Sequence, residues 1–358
     1  MEKILFTGGG TAGHVTLNLS LIPLFLQNGW DVTYVGSKNG MEKGLVAKFK
    51  EVKYFPIETG KLRRYFSFQN FLDALRVPVG IVQAYFLIRK LNPDIIFSKG
   101  GFVSFPVVLA GWLNKKKVFM HESDYSPGLA NKMSLPFVSV FFTTFIETQD
   151  FASLRSVSRK VEYIGPVISD RLKNGNRLKG LQFAALSNDK PVILIIGGSL
   201  GAVNINNAVR NNLDRLLEKY QIIHSCGKGK VDSSINRTGY SQFEYIDAEL
   251  ADVFAASDVM LSRAGANSIF ELLSLRKPMI LIPLPAAASR GEQSLNAESF
   301  RKKGFCEVIK DENLADSENF LKTIDLVYEN RQKYMDNMKN STVKITDSVA
   351  MFNRIASA

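Results

Sequence analysis

Three short stretches carry the residues best suited to chemistry. Gly8-x-Gly10-x-x-Gly13 runs directly into His14. An imidazole titrates near neutral pH, so His14 suits proton removal, with ordering of the loop as its other use. His121-Glu122-Ser123-Asp124 closes the apolar run Val118-Phe-Met. Four polar groups at a strand end point to a site; pairing of His121 with a neighbouring carboxylate is the structural alternative. The most informative stretch is Ser262-Arg-Ala-Gly-Ala-Asn-Ser-Ile-Phe-Glu271. Its small residues let backbone approach a phosphate, and Asn267 and Ser268 open a helix whose N–H groups face outward. Glu271, one turn on, can accept two hydrogen bonds from a cis-diol such as a ribose, or stand as a solvated helix glutamate. Further along, Glu292, Gln293 and Asn296 read as a polar loop before a helix, suited to sugar hydroxyls.

Such residues need a scaffold, and the chain supplies one twice. Lys3-Ile-Leu-Phe-Thr-Gly-Gly-Gly and Pro191-Val-Ile-Leu-Ile-Ile-Gly-Gly are both apolar strands entering glycines and then a helix-length stretch. Strands are expected at Lys3–Thr7, Asp31–Val35, Val52–Pro56, Asp94–Ser98, Lys117–His121, Phe137–Thr143 and Val161–Ile164. A second set is expected at Val192–Ile196, Gln221–His224, Phe243–Ile246, Asp258–Ser262, Met279–Ile282 and Cys306–Ile309. Ser317–Met338 and Asp347–Ser357 read as helices. Strands alternating with helices predict parallel sheets covered on both faces, with ligands beyond the carboxyl ends of the strands. Two glycine turns of this kind predict two α/β domains facing one phosphate-bearing site, with a boundary after Gly165-Pro166.

Gly8-x-Gly10-x-x-Gly13 also matches the dinucleotide fingerprint, but the second strand runs into Gly36-Ser-Lys-Asn39 without the acidic residue a ribose would need. A nicotinamide enzyme is therefore disfavoured. The chain has 358 residues, 46% of them apolar, as two ordinary globular domains require. Two cysteines exclude a disulfide framework, and three histidines offer no metal-ligand spacing. No leader and no spanning run is visible, so a cytosolic chain is expected.

Charge is uneven. Residues 1–167 hold 20 Lys/Arg against 12 Asp/Glu, and residues 168–358 hold 25 against 22. The basic half predicts an anionic partner, with plain solubility as the other reading, and no nucleic-acid motif accompanies it. Lys61, Arg63 and Arg64 stand beside Tyr65, Phe66, Phe68, Phe71 and Leu72, and Trp112-Leu113-Asn114 precedes Lys115, Lys116 and Lys117. Basic groups around an apolar face resemble an interfacial membrane patch, although part of that apolar surface must serve as core.

Taken together, these motifs resemble those of the MurG family, peptidoglycan N-acetylglucosaminyltransferases that convert lipid I to lipid II. The matching residues are Gly9-Gly-Thr-Ala-Gly-His14, Lys99-Gly-Gly-Phe-Val-Ser104, His121-Glu122, Pro127-Gly-Leu-Ala-Asn-Lys132, Gly197-Gly-Ser-Leu-Gly-Ala202, Ser262-Arg-Ala-Gly-Ala266 with Glu271, and Gln293 with Asn296. The resemblance implies an α/β GT-B fold, two Rossmann-like domains whose parallel sheets face a central cleft. Residues 1–166 would bind acceptor and membrane, 167–340 would bind the UDP-sugar, and the helix in 341–358 would pack back on the N-terminal domain. It further implies an inverting reaction without metal or cofactor.

By the same carry-over, His14, His121 and Glu122 are the catalytic candidates. Gly9, Gly10, Gly100, Gly101 and Ser104 would hold the acceptor. Thr11, Gly13, Asp124, Ser199, Ile246, Ala266, Asn267, Ser268, Glu271, Gln293 and Asn296 would hold UDP-N-acetylglucosamine. Implied partners are undecaprenyl-linked lipid I, an anionic membrane surface at the cytoplasmic face of the cell membrane, and cell-wall and division proteins, with no nucleic acid. The chain departs from the family pattern at Asp124, where Asn is common, at Ile168, where Arg is common, and at Glu292. A UDP-sugar epimerase and a non-catalytic UDP-sugar sensor are the rival readings.

Overall fold

The structure, a computed structural model, describes residues 1–60, 68–155, 157–198, 202–285 and 289–357. It divides into two compact units, Met1–Val167 with Lys344–Ala358, and Ile168–Val343. The first unit is built on a seven-stranded sheet in the order β3-β2-β1-β4-β5-β6-β7. Its strands are β1 (Lys3–Thr7), β2 (Asp31–Ser37), β3 (Lys53–Ile57), β4 (Ile95–Ser98), β5 (Lys117–Glu122), β6 (Val140–Thr143) and β7 (Val161–Tyr163). Every pairing in it is parallel. A short pair joins β8 (Val167–Ile168) to β15 (Thr346–Asp347).

The second unit holds six strands in the order β11-β10-β9-β12-β13-β14, also all parallel. These are β9 (Val192–Ile196), β10 (Gln221–Ser225), β11 (Tyr240–Phe243), β12 (Val259–Ser262), β13 (Met279–Leu281) and β14 (Cys306–Val308). In both sheets the order reverses beside the first strand, between β1 and β4 and between β9 and β12. Crevices open at such switch points, at the carboxyl ends of the strands.

Apolar runs decide the sheets, and helices seal their faces. In α1 (Thr16–Gln27) the buried Leu17, Leu21, Ile22 and Phe25 repeat at helical spacing. They join Ile4, Phe6 and Val32 in one core cluster, which also takes in Met351, Phe352 and Ile355 from the helix Ser348–Ala356. The Phe25 and Phe352 rings meet edge to face at 4.7 Å. On the other face, α3 (Phe68–Leu91) and α4 (Ser104–Leu113) supply Ala84, Ile88, Val107 and Val108 against Leu5, Ile96 and Val118.

Some elements differ from their predicted extents. The strand expected at Phe137–Thr143 begins only at Val140, because Pro136 sits in a 3-10 turn over Leu135–Phe137. The strand expected at Phe243–Ile246 lies at Tyr240–Phe243, where its register pairs Ile222 with Tyr240 and Ser225 with Phe243. The helix expected at Ser317–Met338 is two, Ser317–Glu329 and Arg331–Lys339. Asn330 divides them: its side chain donates to the Leu326 carbonyl at 2.8 Å, and its own carbonyl accepts from Lys333 N at 3.0 Å. No helix among the described residues is long and apolar enough to cross a membrane.

Candidate functional site

In the first unit, β1, β4 and β5 are neighbours, so the segments that follow them lie side by side. The loop after β1 carries Gly9, Gly10, Thr11, Gly13 and His14, the last three residues of it forming a 3-10 turn. Thr11 Oγ1 and His14 Nδ1 lie 3.1 Å apart, which orients the imidazole. The loop after β4 presses directly against this one. Gly9 N donates to Gly100 O at 3.4 Å, and a Cβ on Gly101 would clash with Gly9 O and stand 3.2 Å from His14 Nδ1. Gly101 also has φ +88°, so glycine is required there twice over. Ser104 Oγ donates to Gly100 O at 2.7 Å and holds the turn in place.

The end of β5 completes this face. Glu122 is buried and accepts from Asp124 N at 3.0 Å, Gly128 N at 2.9 Å and Asn131 Nδ2 at 2.9 Å. That pattern shapes the turn from β5 into the helix Leu129–Ser134, and it commits the carboxylate to the fold. His121 is buried beside it, with Nε2 3.3 Å from Thr144 Oγ1. Burial, then the nearby Lys99 ammonium, hold its imidazole well below the usual pKa, so the ring is neutral.

Lys99 opens the Lys99–Ser104 motif, but the sequence assigned it no role. It is 2% exposed, and its ammonium donates to Ser123 Oγ. Burial lowers its pKa to about 8, partly offset by Glu122 and Asp124. A buried cation beside Asp124 gives that carboxylate a balancing charge, which an Asn at this position would not need. Its signal in the sequence was a lysine between a buried strand and Gly100-Gly101.

The second unit gathers its candidates in the same topological place. Helix Ala266–Ser274 begins right after β12 and Gly265, so Ala266, Asn267 and Ser268 form its first turn, with Ala266 buried. Glu271 is half-buried, and desolvation alone raises its carboxyl pKa to about 7. Ile246 is buried beyond β11. Gln293 and Asn296 belong to the helix Glu292–Lys302 and not to a loop before it, because Gly291, at φ +79°, starts the helix earlier than expected. Gln293 Oε1 accepts from Leu284 N at 3.1 Å, and the buried Asn296 donates to Ala264 O at 3.1 Å. Ser199 lies outside the described residues.

Arg263 and Asp311 form a framework that the motifs did not reveal. They are ion-paired at 2.5 Å, and both are nearly buried. Arg263 also donates to the carbonyls of Ile282 and Pro283 at 3.2 and 3.3 Å, while Asn204 reaches Asp311 at 2.5 Å. One guanidinium thereby ties the segments after β12 and β13 to the helix Val203–Asn211. Among the described residues no group of three or more His, Cys, Asp or Glu is arranged to hold a metal ion.

Known proteins match the chain over nearly its whole length. Residues 4–143 match the model of the glycosyltransferase family 28 N-terminal domain, and residues 192–351 that of its C-terminal domain. A Bacillus cereus UDP-N-acetylglucosamine–N-acetylmuramyl-(pentapeptide) pyrophosphoryl-undecaprenol N-acetylglucosamine transferase is 50% identical over 340 residues, 95% of either chain. The chain belongs to the MurG family. A Geobacillus kaustophilus transferase of the same description is 49% identical over 341 residues, covering 95% of this chain and 94% of that one. The crystal structure of Acinetobacter baumannii MurG superposes with a TM-score of 0.77 over the full length of both chains at 21% identity, which shows the shared fold. The segments after β1, β4 and β5 of this MurG-family chain are thus in contact in the first unit, as are those after β12 and β13 in the second.

Proposed function

We propose that this chain transfers N-acetylglucosamine from UDP-N-acetylglucosamine to the C4 hydroxyl of the N-acetylmuramic acid of lipid I, with inversion at the anomeric carbon. Membership of the MurG family makes it an N-acetylglucosaminyltransferase of lipid II formation. The observation that carries this reading is the identity of about half, end to end, with relatives named for that transfer.

In this reading the second unit binds the donor. Glu271 accepts the ribose hydroxyls, backbone at Ile246 meets uracil, and Ser199, Ala266, Asn267 and Ser268 hold the diphosphate at a helix N-terminus. Gln293 and Asn296 serve the sugar side, Asn296 by holding the Ala264 carbonyl in place. The first unit binds the acceptor. With the Gly9 and Gly10 amides turned inward, the acceptor diphosphate lies near the Gly8–Gly13 loop, flanked by Gly100, Gly101 and Ser104, while Thr11 and Gly13 reach the UDP-N-acetylglucosamine.

The C4 hydroxyl attacks the anomeric carbon from the face opposite UDP. Its proton passes to the imidazole of His14, whose ring Thr11 orients, as the bond to the UDP oxygen breaks. Helix N-termini and loop amides neutralise the departing diphosphate. His121 and Glu122 support this step from beneath, the neutral imidazole and the committed carboxylate fixing the end of β5, and Asp124 follows them beside the Lys99 charge.

An interfacial position on the cytoplasmic face of the cell membrane accords with a lipid-linked acceptor. Val79, Val82 and Phe86 form an exposed stripe along α3, and Trp112 and Leu113 are exposed on the neighbouring α4. Arg76, Arg89, Lys90 and Lys115 are exposed around them. Apolar side chains ringed by cations suit an anionic lipid surface.

The test is UDP release from UDP-N-acetylglucosamine with and without a short-chain lipid I analogue. Acceptor-dependent release is expected; a changed sugar without acceptor would instead indicate an epimerase, and binding alone a sensor. His14→Ala should lower turnover by roughly 10²- to 10⁴-fold while leaving donor affinity nearly constant. A loss under tenfold with collapsed acceptor binding would make His14 a ligand and not the base.

A further inference from the structure

The first turn of α2 (Met41–Val46) carries a buried carboxylate that none of the motifs includes. Glu42 is 0% exposed. Its Oε1 accepts from Ser37 N at 2.9 Å and Ser37 Oγ at 2.6 Å, and its Oε2 accepts from Gly10 N at 3.3 Å. The chain has made room for it with bare backbone on two sides. A Cβ on Gly9 would stand 2.6 Å from Glu42 Cδ, one on Gly36 would stand 3.0 Å from its Cγ, and one on Gly40 would collide with both carboxylate oxygens. A glycine in each of these places costs conformational entropy, which is repaid where backbone must approach another group closely.

A buried carboxylate is expensive unless donors surround it, and here one of the donors is the amide of the loop that carries His14. The neighbouring contacts extend the restraint. Tyr34 Oη donates to Gly8 O at 2.7 Å, and Gly9 N reaches Gly100 O at 3.4 Å, so Gly8, Gly9 and Gly10 are each tied to a different element. Only after Gly10 does the loop turn outward to Thr11, Gly13 and His14.

We propose that Glu42 is a positioning residue for the acceptor side of the reaction: by anchoring the Gly9–Gly10 backbone it sets Thr11 and His14 in the conformation that receives the lipid-linked substrate. This rests on the functional reading above. The carboxylate touches no substrate. It acts through the amide of Gly10, and it consumes one N–H that would otherwise turn toward the acceptor diphosphate.

The experiment compares the parent with Glu42→Gln, varying the short-chain lipid I analogue at saturating UDP-N-acetylglucosamine and measuring UDP binding separately by calorimetry. A glutamine keeps an acceptor for Ser37 N but sets its own NH2 against Gly10 N–H. The expected result is a fall of roughly 10- to 100-fold in kcat/KM for the acceptor, the scale of one charge-assisted hydrogen bond. UDP affinity should stay within about twofold, since the contacts assigned to uracil, ribose and diphosphate lie in the second unit. An unchanged acceptor kcat/KM in the folded variant, or an equal loss of UDP affinity, would overturn the proposal. If Glu42→Gln gives no cooperative melt, Ser37→Ala replaces it: losing one of the donors that fix Oε1 should lower acceptor kcat/KM about two- to fivefold, and no change would overturn it. Absence of acceptor-dependent UDP release in the parent would instead overturn the functional reading, so the two failures are distinguishable.

Discussion

Glu122 and Glu271 are both carboxylates near the carboxyl end of a parallel sheet, one in each unit, and their surroundings are opposite. Glu122 accepts three hydrogen bonds from its own chain. For Glu271 the dominant influence is loss of water, which lifts its pKa to about 7. A carboxylate already supplied with donors is part of the scaffold. One that has lost its water without gaining a counter-charge is poised for donors that a ligand brings. In the first unit the carboxylate is thus engaged by its own chain, whereas in the second it stays desolvated, which fits the ribose contact proposed for it.

This contrast can be broken at either end. The largest effect is expected from Glu122→Ala, which strands two backbone amides and the Asn131 side chain. Unfolding free energy of the first unit should fall by about 3–5 kcal/mol, read as a lower urea midpoint, with acceptor turnover lost alongside. A stable Glu122→Ala variant lacking only turnover would make Glu122 a reacting group after all.

Glu271→Ala should leave stability near the parent value but weaken UDP-N-acetylglucosamine binding by about 2–4 kcal/mol. Its titration sharpens the point. Ribose hydroxyls donate to the ionised form, so donor affinity should rise with pH, approaching tenfold per unit below about pH 7 and levelling above about pH 8. Glu271→Gln should flatten that profile. The effect on stability has the opposite sign. Because the folded pKa stands above the unfolded value of 4.5, the ligand-free protein retains a proton that the unfolded chain releases between these two values. The contribution of Glu271 to stability therefore declines as pH rises through that window, and Glu271→Gln should remove the decline.

The smallest effect concerns the outer surface of the basic unit. Replacing Phe86 and Lys115 with Ser should lower partitioning onto anionic vesicles, by about 1 kcal/mol for the lysine, and more salt should lower it further. Sedimentation equal to that of the parent would place the docking face elsewhere.

Much of this was legible in the sequence because backbone requirements leave a local signature. Gly9–Gly13, Gly100-Gly101 and Gly265 mark turns after apolar strands, and the alternation of strands and helices dictates parallel sheets. Glu42, the burial of Lys99 and the Arg263–Asp311 pair were not legible in the same way. Their roles depend on which segments lie beneath which loops, and a charged residue in a short helix or after a strand reads locally as solvated. The division at Asn330 was likewise hidden, because apolar periodicity continues through it while a side-chain amide ends one helix and a carbonyl begins the next. The interfacial reading of Lys61, Arg63, Arg64, Tyr65 and Phe66 concerns residues outside those described.

The helix Ser348–Ala356 belongs to the first unit, although the whole second unit precedes it in the chain. Synthesis therefore delivers an uninterrupted second unit, Ile168–Val343, before the first has all its parts. Until Met351, Phe352 and Ile355 emerge, the apolar face of α1 around Phe25 lacks its last layer. The half made first is thus the one whose core is completed by the end of the chain. A long loop must close to finish it, at an entropic cost that grows only slowly with loop length. The first unit therefore gains its last helix only after everything encoded between its two pieces has been made.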